Sequence, residues 1–451
     1  MLLAVGCTLR QAAPAPDPVM ELPQAFSGQK VQAVSRAKWW RTFENDELDR
    51  LILAALSANL TLEEAWARLR QVRAQAVGAG AGRFPDLTVT AGAAHSRQRA
   101  DTTSPPARAT DQYTLGLTSR YELDLWGRIR SEQEAAVLSA AASREDLAAA
   151  ATTVVAAVTE RWLGIVAQRM HRARLFEQIK TNETMLELVE LRFRKSMSSA
   201  LDVLQQRQVV ERSLAQLPLV DRDEQLLINE LALLLGQMPP HAPEIRTESV
   251  DLPATAPEAG LPIQLLTKRP DVRAAAKRLR AADRRVAAAR ADRLPNLRLT
   301  ASGLVQAGQT AILLENWLIS LAADLTAPIF DGDRRLAAVD AASAEAEQFM
   351  AVFKKTVLTA VKEVEDALVR EAALRRYLAG LEAELAAAER TLDEARSRYR
   401  NGLNDYLPVL TALLSVQGLE RDLIDRRTDL ILARVGLYRA LGGAWTDDLE
   451  P

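Results

Sequence analysis

Two stretches of this chain are copies of one another. LRFRKSMSSALDVL from Leu191 aligns with SRYRNGLNDYLPVL from Ser397, roughly 206 residues later. Arg192 pairs with Arg398, Phe193 with Tyr399, Arg194 with Arg400, Leu201 with Leu407, and Val203-Leu204 with Val409-Leu410. Other anchors keep nearly the same offset. Arg83-Phe84-Pro85-Asp86-Leu87 recurs as Arg293-Leu294-Pro295-Asn296-Leu297, Trp126-Gly127 as Asp331-Gly332, and Leu235-Gly236 as Leu441-Gly442. The period is too long for a solenoid unit, so the fold is built from a duplicated half-molecule.

Each half contains a long run without proline. From Gly127 to Lys195 the only internal glycine is Gly164, and Leu147, Val154, Val158, Trp162 and Ile165 recur at helical positions. A continuous helix of roughly 68 residues reaches about 100 Å. The partner run, Asp333 to Arg400, is broken only by Gly380. Each is followed by a short break and a return helix: Leu201 to Leu235 after Ser196–Ser199, and Leu407 to Leu441 after Asn401-Gly402. The prediction is two antiparallel helical hairpins packed in the manner of a coiled coil. Composition agrees: Ala, Leu, Arg and Glu dominate and aromatics are 5% of the 451 residues, which favours helix.

A different texture precedes each long helix. Leu87, Val89, Ala91 and Ala93 alternate with Thr88, Thr90 and Gly92, and Tyr113, Leu115, Leu117, Tyr121 and Leu123 alternate with Thr114, Gly116, Thr118, Arg120 and Glu122. In the second half, Leu297, Leu299, Ala301 and Val305 alternate with Arg298, Thr300, Ser302 and Gln306, and Trp317, Ile319, Leu321 and Leu325 with Ser320, Asp324 and Thr326. Each run is about ten residues of period two, the pattern of a tilted transmembrane strand. A half-buried soluble sheet shows the same alternation. Four strands cannot close a barrel, and open edges are not tolerated in hydrocarbon, so membrane strands would require an oligomer. The two connecting loops differ. Gln98 to Asp111 is long, polar and carries Pro105-Pro106, whereas Gln309 to Asn316 contains the apolar Ile312-Leu313-Leu314, for which the pattern offers no account.

No stretch of 18 consecutive apolar residues occurs, so no membrane-spanning helix is expected. The single cysteine, Cys7, excludes an internal disulfide and a cysteine-cluster metal site. Its setting, Leu3-Ala4-Val5-Gly6-Cys7, is similar to a bacterial lipobox with Ala4 where leucine is usual, and the expectation is that the first part of a signal peptide precedes the given residues. An incidental cysteine is the alternative. Pro14, Pro16, Pro18 and Pro23 then suit an extended tether. The expected division is tether 1–38, first repeat 39–240, linker 241–261, second repeat 262–442 and tail 443–451.

Tyr121 to Arg128 (YELDLWGR) closely resembles the strand-to-helix signature of the TolC/OprM outer-membrane factor family. Arg269-Pro270-Asp271-Val272-Arg273, Pro328-Ile329-Phe330-Asp331-Gly332 and Arg398-Tyr399-Arg400-Asn401-Gly402 support it, and Cys7 points to the NodT-type lipoprotein branch. The resemblance spans about Trp39 to Gly442. It implies a mostly helical mixed α and β chain, and a homotrimer with a twelve-stranded outer-membrane barrel continued by a long periplasmic α-helical barrel. The implied role is the passive exit duct of a tripartite efflux system. Its partners would be a periplasmic adaptor, an inner-membrane pump of the RND or ABC type, and outer-membrane lipid attached through Cys7. Multidrug efflux, metal efflux and type I secretion all stay open.

The resemblance also directs attention to the second hairpin tip. In related ducts, acidic and aromatic side chains there hold the tapered end shut. Asp405 fits by type and position, with Tyr399, Arg400 and Tyr406 as bonding partners; ordinary helix capping explains the same residue types. Ser199 stands where Asp405 does in the first tip. Gly127 and Gly332, with Trp126 and Asp331, mark the turn from strand to helix. Trp126 and Tyr121 suit an interfacial anchor, with core packing as the competing view.

No catalytic constellation appears. The chain lacks a GxxxxGK[ST] loop and a nucleophile elbow, and His95, His171 and His241 have no ligand-spaced partners. No enzyme activity, cofactor or metal is expected. With 57 basic against 59 acidic residues, no nucleic-acid partner is expected either. A structural periplasmic coiled-coil protein would explain the helices but not four alternating runs placed at two duplicated helix starts.

Overall fold

The computed structural model describes Phe26 and residues 38–98, 108–251, 262–442 and 444–449. Cys7, the proline-rich tether and most of the Gln98–Asp111 loop lie outside the described residues. The first repeat gives α1 (Asp46–Ala58), α2 (Leu60–Ala81), β1 (Asp86–Gln98), β2 (Arg108–Leu123), α3 (Arg128–Arg194) and α4 (Ala200–Leu234). The second gives α5 (Leu265–Lys268), α6 (Pro270–Ala291), β3 (Asn296–Ala307), β4 (Trp317–Thr326), α7 (Arg334–Arg400) and α8 (Tyr406–Leu441). The duplication is faithful enough that α3 and α7 are both 67 residues. Each is about 100 Å long at 1.5 Å per residue.

The described residues fall into two compact units that cross the repeat boundary. One holds Arg68–Arg144 and Ala274–Lys355; the other holds Glu145–Arg273 and Thr356–Pro451 with the helical residues up to Ala67. Each repeat therefore contributes to both.

The first unit carries a single antiparallel sheet in the order β1-β2-β3-β4. Its register sorts most side chains by face, with exceptions such as Ser119 on the apolar face and the Leu304–Leu318 pair on the polar one. Leu117 lies across from Val89 and Gly303, Tyr121 from Leu299, and Ile319 from Gly303. The other face pairs Thr118 with Thr88 and Ser302, and Ser302 with Ser320. The apolar face is not buried: Leu321 is 82% exposed, and Val89 and Ile319 are each 67% exposed. Ten residues separate its first row, at Leu123 and Leu297, from its last, at Tyr113 and Ala307. That is about 34 Å of strand, or about 25 Å of height at the tilt of an outer-membrane barrel. Below the sheet, Arg83 bonds Gln133 at 2.9 Å and Arg285 pairs with Glu345 at 3.0 Å.

The second unit is helical. Arg161–Glu230, Arg169–Glu224 and Arg207–Glu190 pair α3 with α4, and Arg427–Glu382 and Arg434–Glu371 pair α7 with α8. Within α4, Pro218 removes one helical bond on an exposed face. One window of α3 is apolar enough to cross a membrane by composition, but most of it is buried, so its apolarity serves packing. Aromatic rings close the end of the helices. Trp39 stacks on Tyr438 at 5.1 Å, and Trp40 meets Trp445 edge-on at 4.9 Å. The RPDVR motif acts as a brace: Arg269 donates to Ala440 O at 2.9 Å and pairs with Glu363 at 2.7 Å, while Arg273 reaches Glu145 at 2.7 Å.

Arg434 is fully buried and pairs with Glu371 at 2.5 Å. Burial pushes the Glu371 carboxyl up, but the bonds and charges of Arg434 and Arg375 outweigh it and hold the group below its usual value. The stabilisation is complete above the ordinary carboxylate pKa and is lost as pH falls through the lowered one. Arg434→Ala leaves the buried carboxylate only Arg375 and should cost about 3–5 kcal/mol. Thermal denaturation in detergent, from neutral to acid pH, checks this. The native midpoint should fall only at the acid end; the variant should start low and respond less to acid. A variant as stable as the native protein at neutral pH overturns the assignment.

Candidate functional site

The two hairpins end α3 and α7 in the same way. Ser196 N and Met197 N donate to Phe193 O and Arg192 O, both at 2.8 Å; Gly402 N and Leu403 N donate to Tyr399 O and Arg398 O at 3.0 and 2.9 Å. These are Schellman endings, which need a left-handed residue. Ser196 fills that position at φ 58° and Gly402 at φ 72°. Serine bears a cost of about 1 kcal/mol there that glycine avoids.

The return helices then begin differently. Ser199 caps α4 reciprocally: its Oγ accepts from Asp202 N at 3.2 Å, and Asp202 Oδ2 accepts from Ser199 N at 2.9 Å and Ser198 Oγ at 2.7 Å. Burial raises the Asp202 pKa, but these bonds outweigh it and lower it overall. Asp405 occupies the matching place before α8 with extended backbone, yet its side chain caps nothing. Capping therefore accounts for Ser199 and not for Asp405. The bonds expected from Asp405 to Tyr399, Arg400 and Tyr406 are not made within one chain. The Asp405 and Arg400 side chains are exposed instead.

The two tyrosines are drawn inward. Tyr399 and Tyr406 are 3% and 1% exposed, with ring centroids 5.7 Å apart. The Arg192 guanidinium lies 4.4 Å over the Tyr399 ring. They join Val189, Val409, Leu410 and Leu413 in one apolar cluster that ties the tips together. The Tyr406 hydroxyl donates to Gln206 Oε1. Burial first, then the neighbouring Tyr399 and Asp202, pushes the Tyr406 phenol far above its usual value, so it remains a donor.

From Gln206 a buried polar chain runs up the helices, and the sequence reading missed it. Gln206 Nε2 donates to Asn182 O at 2.7 Å. Asn182 Nδ2 reaches Ser213 Oγ at 3.1 Å, and Gln417 Nε2 donates to Asn182 Oδ1 at 2.7 Å. Gln178 Nε2 donates to Gln417 O at 3.0 Å, and Arg421 to Gln178 Oε1 at 2.6 Å. Asn182, Gln206, Gln178 and Gln417 are all buried. The signal was present: Gln178 and Asn182 share the helical stripe of Met185 and Val189, polar residues at core positions.

At the first strand-to-helix junction, Asp124 accepts from Ile129 N at 3.1 Å and Arg130 N at 2.8 Å, and Gly127 turns the chain at φ 75°. Trp126 Nε1 donates to Pro295 O at 2.6 Å, and its ring is half-exposed rather than packed in a core. At the second junction Asp331 pairs with Arg335 at 2.9 Å, and Gly332 and Asp333 both lie at φ 63°. Beside it, Ile329 is 98% and Phe330 90% exposed. On the polar face of the sheet, Arg298 lies between Glu122 and Asp324 in register. Among the described residues no metal-type cluster forms; His95 pairs with Asp111 at 2.7 Å and His171 with Asp425 at 2.8 Å.

The model of the family described as outer membrane efflux protein matches residues 51–237 and 261–443. The pyoverdine export outer membrane protein OpmQ of Pseudomonas aeruginosa is 34% identical over 422 residues, covering 92% of this chain and 88% of the relative. The outer membrane protein OprJ of the same organism is 32% identical, covering 99% and 95%. The crystal structure of the outer membrane protein VceC of Vibrio cholerae superposes with a TM-score of 0.85 at 28% identity, covering 92% of this chain and all of that one. The chain belongs to the outer membrane efflux protein family and is an outer-membrane channel of tripartite efflux, not an enzyme.

Proposed function

We propose that three copies of this chain close one twelve-stranded barrel and form the exit duct for an inner-membrane pump joined through a periplasmic adaptor. The observation that carries the reading is the sheet itself. It has two unpaired edges, one face exposed and apolar, and the other lined mainly by Thr88, Thr118, Thr300, Ser302 and Ser320, with Leu304 and Leu318 paired near the β3–β4 loop. Lipid suits the first face and a water-filled lumen the second. Trp126, Ile329 and Phe330 would lie at the periplasmic interface of the outer membrane. OpmQ is named for pyoverdine export and the relative CusC for cation efflux, so the named cargo differs among relatives. In detergent the purified protein should run as a three-chain particle by light scattering, and it should conduct ions in planar bilayers. A water-soluble monomer would sink the reading.

The second hairpin tip serves as the gate in this scheme. Tyr406 is pinned to Gln206, which fixes the start of α8 and leaves the adjacent Asp405 carboxylate free. Three Asp405 carboxylates around one axis would attract cations and repel one another. Asp405→Ala should raise single-channel conductance about twofold or more, the scale of removing a charged constriction. Conductance indistinguishable from the native channel would remove Asp405 from the gate. Tyr406→Phe orphans the buried Gln206 oxygen and should cost about 1–3 kcal/mol of stability.

Cys7 would carry the lipid anchor. Labelled palmitate should be incorporated in cells and lost in Cys7→Ser; equal labelling of the two proteins would refute the anchor.

A further inference from the structure

The β3–β4 hairpin is shorter than its partner. Tyr113 pairs with Ala307 in the last row shared by β2 and β3, while β1 and β2 continue to the pair Gln98–Arg108. Five residues of β2 extend past Tyr113, about 17 Å of strand. Along the apolar face of β1, Ala93 opposite Tyr113 is the last apolar position. His95 opposite Asp111 follows, paired at 2.7 Å, and then Arg97. Hydrocarbon therefore ends close to the Ala93–Tyr113–Ala307 row. The tall hairpin rises past that level into water. The short one turns at it, because its loop starts at Gly308.

That loop has the wrong chemistry for water. Leu314 is 75% exposed, Ile312 is 38% exposed, and Trp317 at its foot is 69% exposed on the apolar face opposite Val305. A cavity of about 340 Å³ beside the loop is lined by Leu304, Gln306, Glu315, Asn316, Trp317 and Leu318, whereas Ile312 and Leu314 take no part in it. An apolar turn between residues 310 and 314 thus continues the exposed apolar band of β4 at the height where that band ends, beside Ala307, which is 6% exposed.

We propose that the β3–β4 loop is a lipid-inserted wedge: Ile312 and Leu314 enter the acyl chains of the outer leaflet, and Trp317 sits at their boundary with the headgroups. Continuity with the lipid-facing band identifies the occupant as lipid rather than a protein partner, and aromatic residues favour that boundary. The inference rests on the barrel reading above. Three such loops, alternating with three tall polar loops, would fix the depth of the barrel from the outer side.

The test uses the full-length trimer in phosphatidylcholine vesicles, with a single nitrobenzoxadiazole label in a Cys7→Ser background, which leaves no other thiol. Labels go at Leu314→Cys, Glu315→Cys and Ile319→Cys. Lipid brominated in its acyl chains should lower emission about twofold or more at 314 and 319 and little at 315, while aqueous iodide should act in the reverse order. A label at 314 quenched by iodide and not by brominated lipid overturns the wedge. So does one that neither quencher reaches, since a neighbouring copy then covers the loop. If the label at 319 also escapes brominated lipid, the barrel reading fails and the wedge falls with it.

Discussion

Backbone N–H and C=O groups cannot stay unpaired in hydrocarbon, and everything else in this chain follows from that restriction. The sheet has only four strands, with β1 and β4 as open edges. Its apolar face excludes it from water and its edges exclude it from lipid, so one copy has no stable environment. Closure by like copies removes both conflicts, because the exposed edges are strands of one sheet and can pair with each other. Each strand pair is followed in sequence by a long helical hairpin, so every copy that joins the sheet also brings two hairpins. The duplication makes this economical: one strand pair and one hairpin, encoded twice, repeat around the ring.

The repeats share their backbone more faithfully than their side chains. Ser196 and Gly402 both end their helices at positive φ, and Gly236 and Gly442 also take positive φ, 68° and 70°. At Gly236 no other residue fits, since a Cβ would stand 2.2 Å from Ala58 O. Asymmetry enters at the positions beside these turns. Ala200 in the first hairpin is Tyr406 in the second, and Ser199 is Asp405. The first tip satisfies itself through its capping box. The second sends its aromatic ring inward and leaves a free carboxylate outside.

Much of this was legible in the residues. Four strands and four long helices were readable because period-two and proline-free runs are local signals. The tip residues were locatable because turn chemistry is local as well. What eluded the sequence was direction. Tyr399 and Tyr406 lie buried while Arg400 and Asp405, each one residue away, do not, and that depends on how two hairpins distant in sequence pack. Asn182 and Gln417 are separated by 235 residues and bond reciprocally, a pairing that no single-sequence pattern encodes. The apolar Ile312–Leu314 turn was visible as an anomaly, but it makes sense only once the register shows where its hairpin stops relative to the taller one.

The buried polar chain answers a problem that long helices create. Long helices with apolar stripes, such as α3 against α4 and α8, can slide by a heptad and still bury similar surface, so packing alone fixes register weakly. A slip of one heptad would move a tip by about 10 Å. Asn182, Gln206, Ser213 and Gln417 forbid that slip, because every alternative register buries their amides and hydroxyls without partners, each at about 1–3 kcal/mol. In the native register they satisfy one another and Asn182 O. Their net contribution to stability is therefore small, while the gap to any slipped state is large. The chain ends at Tyr406, the first residue of α8 and the neighbour of the free carboxylate. Hydrogen bonds spread over several turns of helix thus set the height of the residue on which a gate at this tip would depend.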